Sequence, residues 1–273
     1  MIRIICLVRY LPPLIYFVNR INEAYKVSLV IVESKPVYKK LINEIKLEGI
    51  LGGAETIRKK AFNKIREKVY ENDYNKYFGD KWGSINKNIP ILRVEDINSQ
   101  VVYERIKEEH PDLILDHGTS IVKDRILEIA DLNINLHWGL SPYYRGTHCT
   151  EWALINWDPY NIGVTIHKLT KIIDGGSILV QKRAIIQSND TVNSINMQLT
   201  QLGTELVIKA IDKIKLGEQL QFKKQNYSLG SLTLECQWDK FLDKRMENIE
   251  NNNLIKLMLE KPARKQRLLI VEW

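Results

Sequence analysis

Ile2–Val8 is apolar at nearly every position, so a strand formed there has no face to give to water. Such strands are buried on both sides, usually in a parallel sheet covered by helices. Val27–Val32 is a second β-branched run of the same kind. Between them, Pro12-Pro13 suits the opening turn of a helix, and Leu14, Val18 and Ile21 recur at helical spacing. Strand, helix, strand is the signature of an α/β chain: a mostly parallel open sheet with helices on both faces.

The rest of the chain extends this pattern. Residues 39–80 are mostly charged and read as an inserted helical region, broken at Gly49, Gly52-Gly53 and Gly79. Ile89–Val94, Leu113–Leu115 and Ile134–Leu136 read as further strands, with helices over Val101–Glu109 and Asp124–Ile129. Ile162–His167 and Ser177–Ile186 read as an antiparallel pair added to the sheet, and Thr191–Lys215 as a long helix. After Gly217 the pattern changes to short β-like pieces and a polar helix around Phe241–Ile255. The expected division is a main domain over 1–217 and a small C-terminal extension over 218–273.

Composition narrows the class. With 273 residues, 44% hydrophobic and 27% charged, the chain is neither collagenous, disordered nor a disulfide scaffold. Its formal charge of +7 suits anionic ligands, but Lys and Arg alternate with acids and form no nucleic-acid stripe. Cys6, Cys149 and Cys236 are widely spaced and odd in number, which argues against disulfides and structural zinc. The apolar start is interrupted by Arg3, Arg9 and two prolines, so no membrane span is expected, and the chain reads as cytoplasmic.

The informative stretch is Asn133–Ser177. Asn135 and His137 alternate by two at a strand end, so both point to one face. Asp174 stands before Gly175-Gly176, in loop context. A histidine with a carboxylate partner suits a general base, and an asparagine amide suits a donor to a developing oxyanion. Together they fit acyl-type transfer without a covalent intermediate. The bland alternative is that Asn and His satisfy backbone groups and that Asp belongs to ordinary turn chemistry. Cys149 is read as a small buried residue. His117, His137, His148 and His167 lack metal-like spacing, so no metal is expected and surface or hydrogen-bonding roles are favoured.

Asn135-Leu136-His137, Pro142, Tyr144-Arg145-Gly146, Trp152-Ala153, Gly163-Val164-Thr165-Ile166-His167 and Asp174-Gly175-Gly176 stand in order. This series resembles the folate-dependent formyltransferase family, over about 89–180. The resemblance implies a Rossmann-like domain and 10-formyltetrahydrofolate as formyl donor. It implies Asn135, His137 and Asp174 as a catalytic trio: His137 the base, Asn135 the oxyanion donor, and Asp174 raising the His137 pKa. It also implies a pterin cleft from Leu92, Arg93 and Val94, from His117 and Gly118, and from Ile173.

This chain departs from the family at Trp138-Gly139-Leu140-Ser141-Pro142, where the family has Pro-Ser-Leu-Leu-Pro. Trp138 either stacks on a base, sugar or pterin, or packs beneath the loop. Glu151 either meets a cationic acceptor or caps the next helix. The purine-synthesis branch places a phosphate-cradling loop where Pro12-Pro13 stand here, and proline has no N–H to offer. The initiator-tRNA branch carries a C-terminal barrel larger than the residues after Gly217. Layout favours the branch that formylates nucleotide-linked amino sugars, with a homodimer as one use of the extension. The competing readings are a methionyl-tRNA formyltransferase-like enzyme, a folate- or nucleotide-binding module without turnover, and a hydrolase.

Overall fold

The computed structural model describes residues 2–34, 70–260 and 269–273. Strand β1 (Ile4–Arg9), helix α1 (Pro12–Ala24) and strand β2 (Val27–Glu33) form the expected opening unit. Of the helical region expected over 39–80, residues 39–69 lie outside the described residues, and residues 70–78 are helical (α2). There follow β3 (Ile91–Val94), α3 (Gln100–Glu109), β4 (Leu113–His117), α4 (Asp124–Leu127) and β5 (Leu132–His137). Then come β6 (Tyr144–Gly146), α5 (Cys149–Ile155), β7 (Gly163–Lys168), β8 (Ile178–Arg183) and α6 (Val192–Lys215). The chain past Gly217 adds β9 (Ser231–Thr233), α7 (Lys240–Asn251) and α8 (Leu254–Glu260).

Seven strands make one sheet in the order β3-β2-β1-β4-β5-β7-β8. β3 to β5 pair in parallel, while β7 and β8 run antiparallel to their neighbours. The double burial read from Ile2–Val8 has a direct counterpart. Ile4, Cys6 and Val8 face one apolar core with α1 and α6, while Ile5 and Leu7 face a second with α3 and α4. Alternate residues of one strand therefore feed two cores, which is the α/β sandwich expected of such a run.

The chain builds β2 and β3 outward on one side of β1, then crosses back to place β4 on the other. The carboxyl ends of β1 and β4 thus flank a topological switch point, where an open α/β sheet leaves a crevice. Leu220–Phe222, expected as β-like, is not a strand; its neighbour Lys223 makes a single antiparallel bridge with Ile178. Apolar residues of α7 and α8, among them Leu242, Met246 and Met258, join the same core as α1 and α6. No helix among the described residues is long and apolar enough to cross a membrane.

Candidate active site

Strand register assembles the site. Asp116 of β4 is paired with Asn135 of β5, and Asn135 with His167 of β7. Residues directly opposite share a face, so carboxyl, amide and imidazole line up in one row across three strands. The next row holds His137, Thr165 and Gln181. The Thr165 hydroxyl donates to the Gly139 carbonyl (2.6 Å) and accepts from the Ser141 N–H (3.0 Å). The Gln181 amide donates to the Ser141 carbonyl (2.7 Å) and to Thr165 Oγ1 (2.9 Å). This second row pins the loop after His137 and leaves the first row to face the crevice.

Asp174 reaches both rows from the loop after β7, with a left-handed φ of +45°. Its Oδ1 lies 3.2 Å from Asn135 Nδ2, 3.4 Å from His137 Nδ1 and 3.5 Å from His167 Nε2. Its Oδ2 accepts the Gly146 N–H at 2.8 Å. The three residues expected to meet, Asn135, His137 and Asp174, are therefore in contact, and a fourth, His167, stands among them. Burial pushes the Asp174 pKa up, but the His137 and His167 rings and the Gly146 N–H outweigh it and hold the group well below the usual carboxylate range.

His137 corrects one expectation. The neighbouring carboxylate was expected to raise its pKa; the net direction is down, because burial disfavours the imidazolium more than Asp174 favours it. The ring is 7% exposed. Its two nitrogens face two acceptors, Asp174 Oδ1 and, at 3.0 Å, the Tyr144 carbonyl. A neutral ring donates to only one of them, and an imidazolium donates to both. The site keeps a neutral base whose conjugate acid already has its hydrogen-bond partners in place.

Asn135 is oriented by its neighbours. His167 Nδ1 lies 2.8 Å from the Lys168 carbonyl, which makes that nitrogen the donor and leaves Nε2 as an acceptor. The Asn135 amide then donates to His167 Nε2 and to Asp174 Oδ1, both at 3.2 Å. Its Oδ1 is buried without a partner among the described residues. The oxyanion-donor role expected of Asn135 thus draws on two hydrogens already directed at protein acceptors, over bonds at the long end of the normal range.

The crevice is a cavity of about 590 Å³. Of the expected pterin residues, His117, Gly118 and Ile173 line it. Leu92, Arg93 and Val94 are not among its lining residues. Leu92 and Val94 pack on the second core, and Arg93 lies over the Tyr10 ring. The wall is instead continued by Thr119, Ser120, Ile121 and Val122, opposite Leu169 and Ile173. The cavity wall thus runs along the turn after β4 and not along the end of β3, the outer strand of the sheet.

A family model, Formyl transferase, matches residues 26–211. The chain belongs to the formyl transferase family. It is 31% identical over 151 residues to a methionyl-tRNA formyltransferase of Methylacidiphilum infernorum, a match spanning 54% of this chain and 46% of that protein. The chain therefore spans under half the length of that curated relative. Among solved structures it superposes on a 4-N formyltransferase from Francisella tularensis with a TM-score of 0.53, at 19% identity, covering 86% of this chain and 77% of the other. A sugar N-formyltransferase from a Shewanella species gives 0.53 and 19%, covering 86% and 78%. These likenesses bear on the fold, which is the Rossmann-like formyl transferase fold.

Other expectations resolve within this formyl transferase site. Trp138 lines the cavity and also meets the His117 ring edge-on at 5.2 Å, with its indole N–H buried and without a partner among the described residues. Glu151 stands in the first turn of α5, near His148. His148 stacks on Trp238 at 4.3 Å, and Glu151 with Glu235 carries its pKa to about 9 against its burial. His117 and His167 are not surface groups but are 4% and 2% exposed. Burial drives the His117 pKa down to about 3. Cys149 is buried, 3.7 Å from His137 Nε2, and burial raises its pKa well above the usual thiol value. Among the described residues, no group of three His, Cys, Asp or Glu side chains is arranged to hold a metal. Sequence reading placed Asp116 in the Asp116-His117-Gly118 loop of the pterin cleft but missed its alignment with Asn135, and it missed the contact of His167 with Asn135 and Asp174. The alternation Val164-Thr165-Ile166-His167 placed Thr165 and His167 on one face, but only strand register brings that face opposite Asn135.

Proposed function

We propose that this chain transfers a formyl group from 10-formyltetrahydrofolate to a primary amine, the amino group of a nucleotide-linked amino sugar. The observation that carries the reading is the contact of Asp174 with both His137 and Asn135 at the inner end of the crevice. The pterin would lie in the part of the cavity lined by residues 118–122, Leu169 and Ile173. The bound donor supplies an electrophilic formyl carbon. His137, kept neutral by burial, takes a proton from the attacking amine. Asp174 and the Tyr144 carbonyl accept the two ring N–H groups of the resulting imidazolium, which gives a proton back to the leaving folate nitrogen as that nitrogen's bond to the formyl carbon breaks. Asn135 shares an amide hydrogen between Asp174 and the formyl oxygen as negative charge builds there.

On the acceptor side, the β1–α1 turn supports an amino-sugar reading over a phosphate cradle. Pro12 and Pro13 open α1, and the next two N–H groups, of Leu14 and Ile15, already donate to the Leu11 carbonyl. The helix start thus has no free N–H in its first turn to give an anion. The extension enters the cavity wall through Thr233, Leu234 and Glu235. We assign 1–217 as the catalytic domain and 218–273 as an acceptor-side extension.

The test incubates the protein with 10-formyltetrahydrofolate and a panel of nucleotide-linked amino sugars, beside charged initiator tRNA. A mass gain of one CO on an amino sugar, absent with His137→Ala, is the expected result. Gain on the tRNA alone would replace the sugar reading, and formate release without an acceptor would favour a hydrolase. The kcat/KM profile should rise with pH along an acid limb whose midpoint lies below the ordinary histidine value of 6.5, because a base with a lowered pKa sheds its proton earlier.

A further inference from the structure

The loop carrying Asp174 is poorly able to hold itself. Asp174 sits at a positive φ and is followed by two glycines. Its three consecutive carbonyls, of residues 174, 175 and 176, face away from the sheet ladder and need donors from elsewhere. They get them from the chain past Gly217. Lys223 exchanges both backbone hydrogen bonds with Ile178, each at 2.8 Å, and this fixes the following residues beside the loop. The Gln225 amide then spends its two hydrogens on the carbonyls of Asp174 (2.8 Å) and Gly176 (2.6 Å). The Tyr227 hydroxyl donates to the Gly175 carbonyl at 2.5 Å. The Tyr227 ring also carries the Arg145 guanidinium at 4.4 Å. Arg145 precedes Gly146, whose N–H holds the other oxygen of Asp174. The Asp174 loop is thus tied to both side chains and the Arg145-Gly146 segment to Tyr227, all of it by chain that returns from beyond Gly217.

We propose that Gln225 and Tyr227 are positioning residues that hold the Asp174 carboxylate against His137, so that the C-terminal extension is part of the catalytic apparatus. The proposal rests on the roles given above to Asp174 and His137. It goes beyond them by assigning a function to residues outside the expected catalytic domain. Among the described residues no other donor reaches these three carbonyls. The Gly175 N–H bonds within the loop, to the Ile172 carbonyl at 3.0 Å, and leaves the three carbonyls untouched. Gly176 packs against the Lys168 carbonyl so closely that a Cβ there would overlap it, so the loop also has no room to settle inward.

The experiment follows the His137 ring by NMR in protein labelled at histidine, through a pH titration, for wild type, Gln225→Leu, Tyr227→Phe and Asp174→Asn. Tyr227→Phe keeps the ring on Arg145 and removes one hydroxyl, so it tests the clamp where Gln225→Leu fails to fold. The other ionisable groups facing His137, namely His117, His167, Arg145 and Cys149, remain in every variant. Asp174→Asn defines the effect of losing the carboxylate, a fall in the His137 pKa. Both clamp variants should move the same way, by roughly half a unit to one unit, and should lower kcat by roughly tenfold with KM for 10-formyltetrahydrofolate little changed. A folded variant whose His137 titrates as in wild type overturns the proposal. Lack of turnover by the wild type with every amine would strike the proposed function alone, since the titration reads the clamp without catalysis.

Discussion

Asp116 and Asp174 line the same cavity, and both are nearly excluded from water, yet they ionise in opposite directions. Asp174 is held well below the usual carboxylate range, while burial drives Asp116 up to about 7. Desolvation acts on both. The difference is in what each is given. Asp174 receives a backbone N–H from Gly146, an amide hydrogen from Asn135 and two imidazole neighbours. Asp116 receives the Thr119 hydroxyl and faces the charges of Asp174 and Glu33. The row Asp116-Asn135-His167 thus begins at a carboxyl able to hold its proton near neutrality, while the fixed anion of Asp174 is set from its loop against Asn135 and His167. Pairs of acids whose surroundings drive them apart are a mark of sites doing proton chemistry.

That contrast is open to attack at several points. Asp174→Asn removes the anion while keeping the shape. It should lower kcat/KM for formyl transfer by roughly 10³-fold and shift the acid limb of the pH profile further down. A loss under tenfold would mean that the anion is dispensable. Asp116→Asn tests the other end. A carboxyl whose pKa rises on folding contributes stability that is full below about 3.8 and is lost as pH rises through about 7. The variant, neutral throughout, should lack that decline, which for a rise from 3.8 to about 7 amounts to about 4 kcal/mol between the two ends of the range, read by urea unfolding at both. Equal pH dependence in the two proteins would show that Asp116 is ionised in the fold. Thr119→Val removes the one hydroxyl donated to Asp116 and should raise its pKa by a further half unit or so, about 0.7 kcal/mol, seen in the carboxyl carbon resonance.

His137 carries the same lesson in the opposite sign. Reading the carboxylate alone predicts a raised pKa; the structure adds a burial that the residue order did not display. The size of the desolvation, not the identity of the partner, decides the direction. Trp138 shows the limit of reading a single departure from a family pattern. Two fates were considered for it, stacking on a base, sugar or pterin and packing beneath the loop; the structure gives it a ring that reaches the cavity and leans on His117 at the same time.

The alternation of Asn135 with His137, the doubly buried β1 and β2, the antiparallel pair and the long helix α6 were all legible in the residues. They depend on periods of two and of 3.6, which are local properties of the chain. The residues of Asp174's loop were legible as well, through glycine. What the order of residues could not carry was register: that Asp116, Asn135 and His167 stand abreast, that the cavity wall follows β4 and not β3, and that Gln225 lies over the loop of Asp174. Those facts come from which strand lies beside which and from where the chain returns after fifty residues. No local period encodes such pairings, because the energy that selects them is the burial and hydrogen bonding of the assembled whole.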